Sequence, residues 1–475
     1  MKRNALRIII TIVSTAFFTG VYAQAETPGQ TTESTSEISA ESDLDAELSE
    51  LMGNSDNSES ESKSVWEIYG YFENENSFAA KTGEIIKLEA RARSTFKYGD
   101  AFQYALATLD IFFYPENTTT GMPRETGKIY AYEAYIALGE TLKFKIGKQV
   151  FNWGVADSFR VTNYLDSRYL GELFFTEEDE RYTGSFAVNV KYLFSDYAVE
   201  IAVIPQYTPY TMASTGSYWN FSPSAVNGIT PTIDTSSSAP KDLENISTGI
   251  RAGGTLGSFD FHLSYFHGIN NNIVMVPYST VTGGSLSSIE LKPLNVISDK
   301  VGFDSALTVG KFALRTEILY SPNQGALHDT ETEVVSQTNA ANFTSRTVVD
   351  EVPYLAYTLG FDVNLWGKNG QILMEYTNSN YLSNPDDYQE EFFSNFLLVL
   401  LKDKWFDEKL EVSTYVILRP TNDDIGYIPM LSFIWDLSNG IYLTLGGMLF
   451  VGNDDDMISM FNDKDMVYFR CRMNF

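Results

Sequence analysis

The chain has a single cysteine, Cys471, among 475 residues. That excludes an internal disulfide framework and any thiolate metal cluster. Histidine is almost as scarce: three are present, His262, His267 and His328. The odd spacing of the first two puts them on opposite faces of one extended strand. No G-x-S-x-G elbow, H-E-x-x-H helix or P-loop accompanies them, so the chain is not read as an enzyme and no cofactor or metal is expected. A dyad of His262 with a serine is the one catalytic arrangement left to weigh. Bases are few beside acids, 33 Lys+Arg against 62 Asp+Glu, for a formal net charge of −29. Nucleic acid is excluded as a partner, because so acidic a chain does not hold phosphates. After the amino-terminus no apolar run reaches the roughly eighteen residues of a membrane-spanning helix.

Aromatic residues are abundant, with 32 Phe and 29 Tyr. They suit strands and the aromatic girdles of membrane barrels. The start of the chain is of another kind. Lys2, Arg3 and Arg7, an apolar core from Ile8 to Phe18, and small residues at Ala23 and Ala25 read as a secretory signal over 1–25. Residues 26–64 carry eleven acids and one base and hold too little apolar surface to order themselves. They are expected to form a disordered acidic periplasmic arm. Within it, Leu44, Leu48, Leu51 and Met52 fall on one face of a short helix over 42–52.

From Val65 onward the texture is alternating. Eighteen segments of about ten residues run from 65–78 to 464–475, with sixteen as the alternative count. The links fall into two kinds. Even-numbered segments are followed by short turns, such as Gly139-Glu140-Thr141 and Ser195-Asp196. Odd-numbered segments are followed by longer stretches, including 151–182, 207–245, 269–296 and 322–352, with only 420–424 as short as a turn. An even strand count, short turns at one end and long loops at the other define a transmembrane antiparallel β-barrel over 65–475. A soluble sandwich has no reason to keep its long loops at one end.

Alternation also sorts side chains. Lys87, Glu89, Arg91 and Arg93 oppose Ile86, Leu88, Ala90 and Ala92. Charges facing lipid cost about 2–4 kcal/mol each near the midplane, so the charged set is expected to line the lumen. The basic candidates are Lys87, Arg91, Arg93, Lys143, Lys145, Arg315, Arg470 and Arg472. The acidic candidates are Glu67, Glu89, Asp110, Glu133, Glu317 and Glu375. Five clustered bases, Lys87, Arg91, Arg93, Lys143 and Lys145, outnumber the acids Glu89 and Glu133 among them. That stripe predicts anion preference. The segment Phe392 to Leu401 breaks the rule by being apolar on both faces, which calls for a subunit partner or an inward loop. Asn422-Asp423-Asp424 and Asn453-Asp454-Asp455-Asp456 read as solvated loop tips rather than calcium sites.

Two short stretches resemble known families. The last strand, Met466 to Phe475, alternates and ends on Phe, and resembles the closing strand of bacterial outer-membrane β-barrels. The resemblance implies that Phe475 is an assembly signal read by the barrel-assembly machinery. The segment Ile146-Gly147-Lys148-Gln149-Val150-Phe151-Asn152-Trp153-Gly154 resembles a G-[RK]-Q-x-x-x-W-G pattern of porin-like families, including the alginate-export-like barrels. It implies a porin in the outer membrane, in contact with its lipid, that passes small hydrophilic solutes by passive diffusion. The basic stripe points to anionic or sugar-acid solutes, and this resemblance leans the same way. Trp153 is expected to anchor the following loop at the outer interface. That loop carries Asp157, Arg160, Asp166 and Arg168, whose mixed charges suit an inward constriction. The rival reading is a surface-exposed structural or adhesin barrel with a filled lumen, its function carried by the loops. A carrier of hydrophobic molecules would need an apolar lumen element, for which only 44–52 offers itself. No sequence feature fixes an oligomeric state. At the seam, an ion pair of Glu67 with Arg470 or Arg472 is expected.

Overall fold

The computed structural model describes residues 65–115, 126–172, 175, 180–208, 210–213, 218–219, 227–233, 245–269, 275–293, 296–365, 370–389, 394–421, 424–438, 440–453 and 457–475. The expected signal peptide, the acidic arm with its 42–52 helix, residues 177–179 and most of the two acidic tips lie outside them.

Eighteen strands form the wall. They are β1 (Val65–Ala79), β2 (Ile85–Gly99), β3 (Gln103–Phe113), β4 (Ile129–Leu138), β5 (Leu142–Gln149) and β6 (Ser185–Phe194). Then come β7 (Tyr197–Ile204), β8 (Ser247–Leu256), β9 (Phe259–Ile269), β10 (Ile297–Val309), β11 (Phe312–Asn339) and β12 (Asn342–Asn364). The last six are β13 (Gln371–Tyr381), β14 (Phe396–Trp405), β15 (Leu410–Pro420), β16 (Ile425–Ser438), β17 (Ile441–Met448) and β18 (Met466–Asn474). Each pairs antiparallel with its neighbour, and β18 pairs with β1, so the sheet closes. Closure leaves no edge among these strands to template aggregation.

The alternation read from sequence decides which side chain goes where. On β2, Lys87, Glu89, Arg91 and Arg93 are buried, while Ala90 and Tyr98 on the other parity are exposed. Across the sheet the exposed large apolar residues include Trp66, Ile68, Phe72, Ile136, Ile146, Leu263, Leu314, Leu359, Leu445 and Phe469. A belt of that extent suits hydrocarbon, not water. Trp66 and Tyr98 meet near the strand ends with ring centroids 4.8 Å apart and planes tilted by 38°. Such amphipathic rings sit at a headgroup interface.

The seam differs from expectation. β1 starts well below the last residue of β18: Tyr71 faces Asn474, Glu73 faces Arg472 and Glu75 faces Arg470. The stagger of a closed barrel displaces the strand ends, so no residue of β18 reaches Glu67. Glu67 pairs instead with Lys97 at 3.3 Å, on an exposed rim.

The stretches 269–296 and 322–352, expected as irregular loops, are mostly strand. β11 and β12 run 28 and 23 residues and end in a hairpin beyond the wall. A second hairpin, Met275–Thr282 with Ser285–Pro293, pairs onto β12 through Tyr278 to Val281. Gly283 and Gly284 turn it, both with positive φ. A two-glycine link between β-rich runs is itself a hairpin signal.

Candidate functional site

On the interior face of β1, β2, β3 and β18 lies a dense ion-pair network. Lys87 Nζ sits 3.0 Å from Glu75, 3.5 Å from Glu89 and 2.9 Å from Glu172. Arg93 Nε and Nη2 donate to the two oxygens of Asp110 at 2.8 and 2.9 Å, a fork on a carboxylate. Arg91 Nη2 donates to Asp110 at 3.1 Å, and its Nη1 donates to Glu180. Arg470 Nη2 reaches Glu75 at 2.7 Å, and Arg472 Nε reaches Glu73 at 2.7 Å. Period-2 spacing stacks these groups on one face, so Glu73, Glu75, Asp110 and Glu180 each meet two bases.

The charge count here revises the expected basic stripe. Lys87, Arg91, Arg93, Arg470 and Arg472 face the wall acids Glu73, Glu75, Glu89 and Asp110, leaving one spare positive charge. Glu172 and Glu180 come from the segment between β5 and β6 and turn that into one spare negative charge. The parity that marks Lys87 and Arg91 in the sequence also marks Glu73 and Glu75 on β1. That signal was available. The arrival of Glu172 and Glu180 was not, because a loop's destination has no periodicity.

Lys143 and Lys145 lie apart from this network, on β5. Lys143 sits directly opposite Lys191 of β6, and Lys145 packs its ammonium 5.3 Å from the Tyr135 ring.

The segment between β5 and β6 crosses the interior and is held by carboxylates of the far wall. Glu317 Oε1 accepts from the backbone N–H of Val155 and Ala156, each at 2.7 Å. Its Oε2 accepts from Thr162 N and Thr162 Oγ1, each at 2.9 Å. Glu375 accepts from the N–H groups of Asp157 at 2.8 Å, Ser158 at 3.1 Å and Phe159 at 3.0 Å, and from the Ser158 hydroxyl. Thr358 Oγ1 donates to Phe159 O at 2.9 Å. Arg315 pairs with Asp157 at 3.1 Å and with Asp362. These two carboxylates act as caps for a stretch of backbone with no ladder partner, which would otherwise bury unsatisfied donors.

Local chemistry explains the route. Gly154 has φ +101°, and a Cβ there would lie 2.5 Å from Glu317 Oε1, so the G-x-x-x-x-x-x-G spacing of Gly147 and Gly154 serves close approach. Trp153 is not at a lipid interface. It is buried inside, edge-on to Tyr164 at 5.8 Å and under the Arg251 guanidinium at 5.8 Å. The tight turn at Gly154 aims it inward. Asp166 accepts from Phe151 N at 3.0 Å and Asn152 N at 2.8 Å, closing the segment on itself. Burial pushes the Asp166 carboxyl up to about 6, opposed by those N–H bonds. Arg160 Nε donates to Ala156 O at 2.8 Å, and Arg168 sits in the short strand Ser167–Leu170, across from Tyr182. Glu133 accepts from Val150 N at 2.9 Å, where the segment leaves β5.

The interior face of the two-faced apolar strand β14 meets an inward loop. Its interior residues Phe396, Leu398 and Leu400 join Leu373, Ile417, Ile428 and Met448 in one buried cluster with Phe175 and Trp219, which belong to the connecting segments. Phe159 stacks on Phe396 at 5.5 Å. The interior thus has an apolar wall of its own, which the sequence reading confined to 44–52. His262 is set against Asp304 at 3.0 Å and beside Arg251, which reaches Asp304 at 2.7 Å.

No protein-family model matches the chain, and no curated protein matches its sequence. Among solved structures, OccAB1 of Acinetobacter baumannii is 8% identical over 88% of this chain and 99% of that chain, with a TM-score of 0.49. A BenF-like porin from Pseudomonas fluorescens is 8% identical over 87% and 98%, with a TM-score of 0.48. OccK8 (OprE) of Pseudomonas aeruginosa is 12% identical over 87% and 98%, with a TM-score of 0.47. Likeness of this size says nothing of what this barrel binds or passes.

Proposed function

We propose that this chain is a porin-like channel of a bacterial outer membrane, for passive diffusion of small hydrophilic solutes. One observation carries the reading: an apolar outward face encloses an inward face of charged side chains, crossed by a segment that narrows the interior. The lining roles go to Lys87, Arg91, Arg93, Arg315, Arg470 and Arg472 with Glu89, Asp110, Glu317 and Glu375, and to Lys143 and Lys145 on β5. The constriction is the segment bearing Asp157, Arg160, Asp166 and Arg168. Selectivity follows from fixed charges close to the path, which outweigh distant screened loops. The amino-terminal signal takes the chain out of the cytoplasm, and Phe475 presents the last strand for assembly.

A second reading, a structural barrel with a filled interior, is favoured by the packing itself. Asp304 and Glu317 are each 0% exposed, and the apolar cluster on β14 fills part of the lumen. The test is purified protein in a planar bilayer. A channel gives discrete conductance steps; a sealed barrel gives none at any voltage or salt concentration.

A further inference from the structure

Glu172 and Glu180 stand out from the other acids of the ion-pair network. Glu73, Glu75 and Asp110 belong to strands of the wall and are 3–4% exposed at the side chain. Glu172 and Glu180 belong to the crossing segment and are 10% and 12% exposed.

Their coordination has the form of a bound ligand. A single oxygen of Glu180 takes Arg91 Nη1, lies 3.8 Å from Arg93 Nη2 and accepts the Tyr71 hydroxyl at 3.2 Å. Glu172 Oε1 takes Lys87 Nζ at 2.9 Å. Three bases of one strand and a phenol thus converge on two carboxylates that the wall does not supply. The guanidinium groups are kept in place without those carboxylates, Arg93 by its fork on Asp110 and Arg91 by the same acid. A preformed donor set of this kind recognises oxygen anions.

We propose that Lys87, Arg91, Arg93 and Tyr71 form an oxyanion-binding site that the chain's own Glu172 and Glu180 occupy at rest, and that an anionic solute binds by displacing them. The displacement is local. The crossing segment stays anchored by Glu317, Glu375 and Asp166, none of which touches Glu172 or Glu180 in the bonds described above. Displacement also changes the local sign, since the wall network alone carries one spare positive charge. The transport consequence rests on the channel reading; the binding itself does not.

Calorimetric titration of the folded barrel in detergent tests the proposal, with succinate and inorganic phosphate as probes and chloride as the control. The Glu172→Gln/Glu180→Gln variant is expected to bind at least one probe at least tenfold more tightly than wild type, because no internal competitor remains. Lys87→Gln/Arg91→Gln is expected to lose that binding. A probe preference separates a carboxylate site from a phosphate site. Equal affinity in wild type and Glu172→Gln/Glu180→Gln, or undiminished affinity in Lys87→Gln/Arg91→Gln, overturns the proposal. Should a double variant fail to show heat-modifiable folding, wild type supplies the readout by hydrogen exchange. Either probe should then speed exchange of Tyr169 N–H, which is bonded to Arg181 O beside Glu180 at 2.7 Å; unchanged exchange at saturating probe counts against displacement. Absence of bilayer conductance together with tight binding removes the channel reading and leaves this one standing.

Discussion

Arg472 on the closing strand donates to Glu73 on the first strand, Nε to Oε2, at 2.7 Å. The Glu73 side chain is 4% exposed and the Arg472 side chain 25%. Removing one partner therefore strands a carboxylate that water reaches poorly, while Arg470 remains 3.7 Å from it. Breaking a fully buried pair costs about 3–5 kcal/mol, and the part exposure of Arg472 lowers that to about 2–3 kcal/mol. Arg472→Gln should lower the urea midpoint of the refolded barrel accordingly. Glu73→Gln/Arg472→Gln should recover part of the loss, because no uncompensated charge is left. A double variant as unstable as the single one would show that the pair does not close the seam energetically.

The strands were legible and the crossings were not, for a physical reason. Side-chain alternation is a property of each strand alone, so Lys87 and Arg91 could be assigned a face without knowing any neighbour. Turn chemistry then ordered the strands. The pairing of Glu73 with Arg472 depends on the stagger of the closed sheet, a global quantity, and Glu67 was chosen because nothing local encodes it. Glu317 shows the same limit at the site. Its parity pointed inward, but that its two oxygens would hold Val155, Ala156 and Thr162 depends on where a distant segment travels. The long hairpin of β11 and β12 was legible in part. Its Val334 to Asn339 stretch is exposed throughout, so no buried face supplied an apolar alternation to read.

The terminus separates folding from delivery. Phe475 N donates to Gly70 O at 2.9 Å and Gly70 N donates to Phe475 O at 3.0 Å, while its ring lies 5.2 Å from that of Phe72. Two ladder bonds are worth about 2 kcal/mol in total. Deleting Phe475 should therefore leave refolding in detergent nearly intact. In cells the same deletion should leave protein in the periplasm, if the terminal Phe is the recognised signal. Fractionation and heat-modifiability measure both. Wild-type levels of assembled barrel in the deletion strain would remove the signal role.

Glu317 and Glu375 are predicted to set the rigidity of the crossing segment. Bonds from N–H donors to a carboxylate contribute about 1.5–3 kcal/mol each, and several converge on each acid here. Glu317→Gln/Glu375→Gln keeps the shape and removes both charges. Hydrogen exchange of the amides at 155–159 and of Thr162 should rise at least tenfold, with little change on β3 or β4. In a bilayer the variant should show noisier current than wild type. Gly154→Ala should move the same amides, since its methyl would press on Glu317 Oε1. Unchanged protection at 155–159 in both variants would mean that the segment is held elsewhere.

Asp166 gives the crossing segment a pH dependence whose sign is fixed by burial. Its carboxyl is pushed up to about 6 from an ordinary value of 3.8, with burial as the largest cause and the N–H bonds from Phe151 and Asn152 opposing it. Because the docked value lies above the undocked one, the docked segment binds the proton more tightly. Docking therefore gains free energy as pH falls through about 6, and the gain is complete below about 4. Above 6 the charged form is buried at a cost, only partly offset by its two backbone donors. The full swing is on the order of 3 kcal/mol for a shift of this size. Exchange protection of Phe151 and Asn152, corrected for intrinsic rates, should accordingly rise between pH 7 and pH 5. Asp166→Asn carries no titrating group at this position and should show no such rise. Its protection at pH 7 should equal or exceed that of wild type, since one amide oxygen still faces both donors. Protection that falls on acidification in wild type, or a slope that survives in Asp166→Asn, would assign the pH response to a different group.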